Sequence, residues 1–236
     1  MKKIAQEIQA DYYKRTAVDY DASHVISADM EQIFALQYLS SIINYYSIQS
    51  ILDVGAGTGR TIDYVMKNHP NVRIVGIEPV KELLEEGYKK GISKSILIEG
   101  NGNEIQFDDN AFDLVCEFAV LHHVPKPEVV VAEMLRVARV GIFISDSNNF
   151  GQGNSLSRLV KQTINFFGLW DLYNLIRTKG KGYQISEGDG LFYSYSVFNN
   201  YKQIKKQCQK IHLLNTNDGG LNPYKTASHI ALVGIK

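Results

Sequence analysis

Ser50-Ile51-Leu52-Asp53-Val54-Gly55-Ala56-Gly57-Thr58-Gly59-Arg60 is the stretch whose reading decides the fold. A buried-type apolar run of strand length enters a turn with three glycines, and a helical pattern opens behind it. Glycines let a backbone approach a ligand without Cβ obstruction, and the helix start beyond them presents free N–H groups. The spacing matters. A dinucleotide fingerprint, Gly-x-Gly-x-x-Gly, needs its third glycine at position 60, where Arg60 stands. An acidic Asp53 just before the turn also opposes a pyrophosphate there. A nicotinamide cofactor is therefore disfavoured.

Outward from this turn, further short apolar runs fall at Val72–Ile77, Ser95–Ile98, Phe112–Cys116 and Val140–Ser145, with helix-like segments at 58–68, 80–90 and 126–138 between them. Such alternation predicts right-handed βαβ units and a parallel sheet covered on both faces. The first fifty residues read as helical. Residues 147–190 break the alternation with a turn-rich opening, an aromatic helical stretch from Leu156 to Ile176, and a Gly-rich segment from Lys179 to Gly190. Segments of this kind in compact domains are usually functional lids. A helix at 197–208, a strand near 209–216, a turn at Asp218-Gly219-Gly220 and a closing strand at Ala227–Ile235 complete the chain. The expectation is one domain: N-terminal helices over 1–48, a cofactor-binding core over 49–146, a helical cap insertion over 147–190, and a C-terminal helix and strands over 191–236.

The 236 residues carry 25 basic and 25 acidic side chains, so no global field draws the chain to nucleic acid or to a membrane surface. The charge is split, however. Residues 1–150 hold 14 Lys/Arg against 21 Asp/Glu, whereas 151–236 hold 11 against 4. Two cysteines, Cys116 and Cys208, neither staple a domain of this size nor form a ligand cluster, and no metal is expected. No apolar run is long enough to span a bilayer and no secretory pattern opens the chain, which reads as cytoplasmic.

A second carboxylate, Glu78, closes the apolar run Val72–Ile77, where a ribose diol would find an acceptor. Here the sequence resembles the class I S-adenosylmethionine-dependent methyltransferases, in their small-molecule, type 11-like group. The resemblance runs from about Tyr12 to Ser145. Asp53-Val54-Gly55-Ala56-Gly57-Thr58-Gly59 is similar to that family's first motif, Glu78-Pro79 to its ribose-binding acid, and Gly100-Asn101-Gly102-Asn103 to its adenine loop. Glu117-Phe118 through Val124 resembles the segment after the fourth strand. The resemblance implies a Rossmann-like seven-stranded, mostly parallel sheet with an antiparallel C-terminal strand. It also implies S-adenosylmethionine as cofactor, with S-adenosylhomocysteine as product. Asp53, Gly55, Ala56, Gly57, Thr58, Gly59, Glu78, Pro79, Asn101, Gly102, Asn103, Glu117 and Phe118 would line the cofactor. Asn101 departs from the family's usual Asp, but its amide carbonyl can still accept from adenine.

A hydroxyl acceptor needs a base. His122, after the predicted fourth strand, is the first candidate, because related phosphobase methyltransferases carry a catalytic histidine at the matching position and pair it with an N-terminal tyrosine. Tyr12, Tyr13 and Tyr20 are available, Tyr20 being placed with His122; His123 is the lesser choice. The plain alternative for either histidine is packing or capping of the next helix. Asp146, ending the fifth strand, is a third catalytic candidate or else a turn cap. The stretch Phe166 to Tyr173 could line an acceptor pocket, bind a partner, or simply pack. The basic half, with Arg158, Lys161, Arg177, Lys179 and Lys181 in or beside the lid, favours an anionic small-molecule acceptor such as a phosphorylated metabolite, a nucleotide sugar or a surface-glycan precursor. A nucleic-acid methyltransferase is disfavoured by the absence of an Asn/Asp-Pro-Pro-aromatic tetrapeptide at Glu117–Val120. A non-catalytic scaffold is disfavoured by the intact glycine turn.

Overall fold

A computed structural model describes residues 2–19, 30–217 and 220–236. Helices α1 (Lys2–Thr16) and α2 (Met30–Tyr45) precede β1 (Ser50–Val54), α3 (Arg60–Asn68), β2 (Arg73–Glu78), α4 (Lys81–Lys89) and β3 (Leu97–Glu99). Then come β4 (Phe112–Phe118), α5 (Pro127–Val137), β5 (Ala138–Ser147), α6 (Ser155–Phe166) and α7 (Trp170–Arg177). The chain ends with β6 (Tyr183–Ser186), β7 (Gly190–Tyr193), α8 (Tyr201–Lys205), β8 (Lys210–Asn215) and β9 (His229–Ile235).

Seven strands form one sheet in the order β3-β2-β1-β4-β5-β9-β8. The pairs β1–β2, β1–β4, β2–β3 and β4–β5 are parallel, and β9 runs antiparallel between β5 and β8. The expected Rossmann-like sheet is thus present. Its central strands are buried on both faces, as continuous apolar runs require. Leu52, Val54, Val115 and Ile142 pack on the α5 side, while Ile51, Leu114, Cys116 and Phe143 pack on the α2 and α3 side. The period-two alternation along β1 therefore builds two cores from five residues.

Parallel strands deliver their C-terminal ends to one edge, and the order reverses between β1 and β4. That crevice is where open α/β sheets bind ligands. Over it lies α1, tied to a hairpin formed within and just beyond the Gly-rich segment: β6 and β7 pair antiparallel as a separate two-stranded sheet. Gln9 Oε1 accepts from Leu191 N–H at 2.5 Å, and Tyr12 Oη donates to Glu187 O at 3.1 Å. Gly190, at φ +69°, brings the hairpin backbone so close to α1 that an added Cβ would stand 2.5 Å from Gln9 Oε1. The aromatic stretch 156–176 is two helices rather than one, broken at Gly168 with φ +69°. No helix among the described residues is long and apolar enough to cross a membrane.

Candidate active site

A cavity of about 290 Å³ opens at the sheet's C-terminal edge. Of the residues read from sequence as cofactor ligands, Gly55, Gly57, Glu78, Pro79, Asn101, Gly102, Asn103 and Phe118 line it. Asp53, Ala56, Thr58, Gly59 and Glu117 are not part of the lining, and Asp53 and Glu117 are buried behind it. Of the catalytic candidates, neither His122 nor Asp146 lines the cavity, and Tyr20 lies outside the described residues. His123, Tyr13 and Gln9 take part in the lining instead.

The floor is built by the glycine turn. Gly57 adopts φ +56°, a left-handed conformation that costs other residues energy, and donates its N–H to Glu78 Oε2 at 3.0 Å. Glu78 Oε1 accepts from Val80 N–H at 2.9 Å. Each carboxylate oxygen keeps a second lone pair for a ligand. Burial pushes Glu78 up to about 7, against these two backbone donors. Asp53 is pushed up to about 7 as well, by burial, against a hydrogen bond from Thr61 and the charge of Arg60. Glu117 rises well above the carboxylate range through burial and then through Asp146. Two of these carboxylates hold a buried oxygen without a hydrogen-bond partner among the described residues: Asp53 Oδ2 and Glu117 Oε1. Three desolvated acids, Glu78 in the lining and Asp53 and Glu117 behind it, the last two with an oxygen that lacks a donor, fit a cationic ligand.

Asn101 is arranged differently from the sequence reading. Its Oδ1 already accepts from Asn103 N–H and from Asn103 Nδ2, both at 2.9 Å, so the loop folds on its own amide. Ala119, a lining residue just past β4, sits at φ +60°, and its N–H donates to Ser145 O at 2.8 Å. Strain of this kind in a non-glycine residue gathers at functional sites.

Beyond Ala119 a 3-10 turn, Leu121–His123, carries the two histidines, whose rings lie 4.0 Å apart. Asp146 caps that turn: its Oδ2 accepts from Leu121 N–H at 2.8 Å and His122 N–H at 3.2 Å, and its Oδ1 takes His122 Nδ1–H at 2.7 Å. His122 Nε2 stands 3.5 Å from Asp189 Oδ2, in the turn between β6 and β7. Burial disfavours the charge on His122, but Asp146 and then Asp189 outweigh it and hold the ring up at about 10. His122 is therefore an imidazolium at neutral pH, with both nitrogens protonated. His123 is the opposite case. Burial and the neighbouring His122 charge lower it, so it is neutral. Its Nδ1 lies 2.6 Å from Leu191 O, which fixes the N–H on that nitrogen and leaves Nε2 with the lone pair, 3.4 Å from Asp189 Oδ1. The Tyr13 ring meets His123 edge-on at 5.9 Å.

Sequence reasoning missed Gln9 and Asp189. Nitrogen and carboxylate atoms of His122, His123 and Asp189 lie within 4.8 Å of one another, close enough to hold a metal ion. Here His122 and Asp189 form a charged latch between core and hairpin, with neutral His123 beside it.

Comparison with known proteins agrees with this geometry. A family model described as a methyltransferase domain matches residues 52–144, the span from β1 to β5. Residues 52–144 are a methyltransferase domain. An uncharacterized methyltransferase of Schizosaccharomyces pombe is 31% identical over 104 residues, 40% of this chain and 37% of that protein. A phosphatidylethanolamine N-methyltransferase of Cereibacter sphaeroides is 32% identical over 107 residues, 43% of this chain and 51% of that protein. The chain thus matches about half or less of the length of these relatives. A crystal structure of an S-adenosylmethionine-dependent methyltransferase of Thermotoga maritima, described as a possible histamine N-methyltransferase, has 14% identity with a TM-score of 0.61. It covers 96% of this chain and 99% of its own. At that identity the likeness speaks for the fold, and it extends the methyltransferase domain's fold to nearly the whole chain.

Proposed function

We propose that this chain transfers the methyl group of S-adenosylmethionine to a small-molecule acceptor held beneath α1 and the β6–β7 hairpin. The observation that carries the reading is the pair of open carboxylate oxygens, Asp53 Oδ2 and Glu117 Oε1, behind a cavity floored by the glycine turn and Glu78. S-adenosylmethionine brings an ammonium, a sulfonium and a ribose diol, the three features this floor complements. Glu78 accepts the diol through its free lone pairs. Asp53 and Glu117, giving up their protons on binding, would pair with the cationic methionine end. Pro79, Val80 and Leu83 give the adenine an apolar wall, and Asn101 offers it Nδ2 donors.

The cofactor supplies the activated methyl; the protein's work is to hold the acceptor in line and to receive a proton where one is released. His123 suits that second task better than His122: it lines the cavity, is neutral, and keeps one basic nitrogen, Nε2, which Asp189 would have to release to an incoming acceptor. His122 and Asp146 act on it by position, Asp146 capping the turn and His122 holding Asp189. Tyr13 and Gln9 complete the acceptor end. Support for an anionic acceptor weakens at the cavity itself, because no Lys or Arg lines it among the described residues. The scaffold alternative is opposed by the open cavity, and a nucleic-acid substrate by the same lack of lining cations. The test is a panel of acceptor classes with labelled methyl donor, read as S-adenosylhomocysteine release. Cofactor turnover with a small molecule and none with RNA or DNA is the expected result.

A further inference from the structure

Helix α6 is mounted inside out. Its polar side chains face the body of the protein: Lys161 Nζ donates to Asn149 O, Gln162 Nε2 to Phe150 O at 3.0 Å and to Lys225 O at 2.8 Å, and Asn165 Nδ2 to Tyr224 Oη at 3.0 Å. No residue of α6 is buried. Its apolar stripe, at helical spacing, faces solvent instead, with Leu156 70%, Leu159 61% and Phe166 84% exposed, and Phe167 follows at 68%. Helix α7 repeats the arrangement. Trp170 is its one buried residue, donating Nε1–H to Ser194 Oγ at 3.0 Å and meeting Phe150 edge-on, while Leu172 and Ile176 are 57% and 70% exposed. An amphipathic helix of a globular protein normally turns its apolar face to the core. Two consecutive helices that do the reverse leave a large apolar surface exposed, and such surfaces mark an interaction site.

The charge around the patch selects the occupant. Residues 151–186 contain Arg158, Lys161, Arg177, Lys179 and Lys181 against the single acid Asp171, five positive charges to one negative. Lys161 and Arg177 share a cleft of about 360 Å³ with Leu156, Val160, Trp170 and Tyr173. None of Arg158, Lys161 or Arg177 has a carboxylate partner among the described residues. The proximity of Arg177 and Arg158 adds to burial in lowering the Lys161 ammonium. Unpaired cations interleaved with Leu, Phe and Trp are the composition of a helix that lies in a membrane interface. A second copy of this chain would set the like-charged clefts against each other, which disfavours self-association through this face.

We propose that the α6–α7 hairpin is a docking surface for an anionic lipid bilayer, its apolar side chains entering the headgroup boundary and the exposed Arg177, Lys179 and Lys181 facing lipid phosphates. The surface is separate from the cofactor cavity, so the proposal stands apart from the reading of that site. It accounts for five of the eleven basic residues of the C-terminal part, 151–236, without placing those charges on the methyl acceptor.

The experiment is co-sedimentation of the full chain with vesicles of phosphatidylcholine alone and of phosphatidylcholine mixed with phosphatidylglycerol. The chain should sediment with the mixed vesicles, not with the neutral ones, and salt should weaken binding. Each basic residue near an anionic leaflet contributes roughly fivefold in partitioning. The variant Arg177→Ser/Lys179→Ser/Lys181→Ser should therefore bind roughly a hundredfold more weakly. Phe166→Ser/Phe167→Ser should lose binding through lost insertion. Both variants change exposed side chains, so an unchanged far-UV circular dichroism spectrum shows that the fold is kept. Absence of wild-type binding to mixed vesicles overturns the proposal. So does undiminished binding by the Phe166→Ser/Phe167→Ser variant. A wild-type dimer that this variant converts to monomer would instead assign the face to a second copy.

Discussion

Replacing Glu78 with Gln isolates the carboxylate at the floor of the cavity. The wild-type side chain accepts Gly57 N–H at 3.0 Å and Val80 N–H at 2.9 Å, one on each oxygen. Glutamine preserves the shape but offers one acceptor, so one of those buried N–H groups faces an amide NH₂. Leaving a buried donor unpaired costs about 1–3 kcal/mol, partly offset because a charge no longer has to be desolvated. The fold should survive, with a lowered melting temperature. Cofactor binding loses more. Two ribose hydroxyls that would donate to a carboxylate now meet one neutral oxygen, and losing charge-assisted bonding of about 1.5–3 kcal/mol weakens affinity roughly ten- to hundredfold. Isothermal titration with S-adenosylmethionine reads this directly, with circular dichroism confirming the fold. An unchanged Kd in a folded Glu78→Gln protein would refute the assignment of Glu78 to the ribose.

Acid should weaken cofactor binding. Asp53 and Glu78 both sit at about 7. Below that pH each is protonated and must give up its proton to a cationic ligand, so Kd should rise by up to ~tenfold per pH unit per group. Titrations in buffers of different ionisation enthalpy should show proton release on binding near neutral pH. His123→Ala should lower turnover by ~10²-fold or more on an acceptor that must lose a proton, with cofactor Kd unchanged; equal turnover would return His123 to a packing role. Asp146→Asn removes a buried partner of His122 and should destabilise the fold by about 3–5 kcal/mol. His122 is held at about 10, above its ordinary 6.5, so the pair's contribution is full below pH 6.5 and lost as pH rises through 10. The gap in melting temperature between wild type and Asp146→Asn should therefore narrow in alkali.

Much of the fold was legible because its signals are local. The run Ser50–Val54 followed by Gly55, Gly57 and Gly59 states strand, turn and helix start within eleven residues, and the spacing of Glu78 behind it places a second strand end on the same edge. What failed depends on contacts between distant segments. Gly180, Gly182, Gly188 and Gly190 read as a loop, yet Tyr183–Ser186 and Gly190–Tyr193 pair because α1 gives the hairpin a surface to lie on. The order of His122 and His123 in the sequence says nothing about which one faces the cavity. That is settled by Asp146, which caps the 3-10 turn from β5 and draws His122 inward. Asp189 carries no pattern of its own and acquires a role only through the hairpin. The aromatic stretch was recognisable as unusual from composition, but its outward face follows from the hydrogen bonds of Lys161, Gln162 and Asn165.

A crystal structure of the chain with S-adenosylhomocysteine tests the central claim most directly. The account predicts the ribose hydroxyls within hydrogen-bonding distance of Glu78, the amino-acid end at the glycine turn beside Asp53 and Glu117, and the sulfur open toward His123 and Tyr13. A ligand bound away from this cavity, or a ribose that leaves Glu78 with only its two backbone partners, would contradict it.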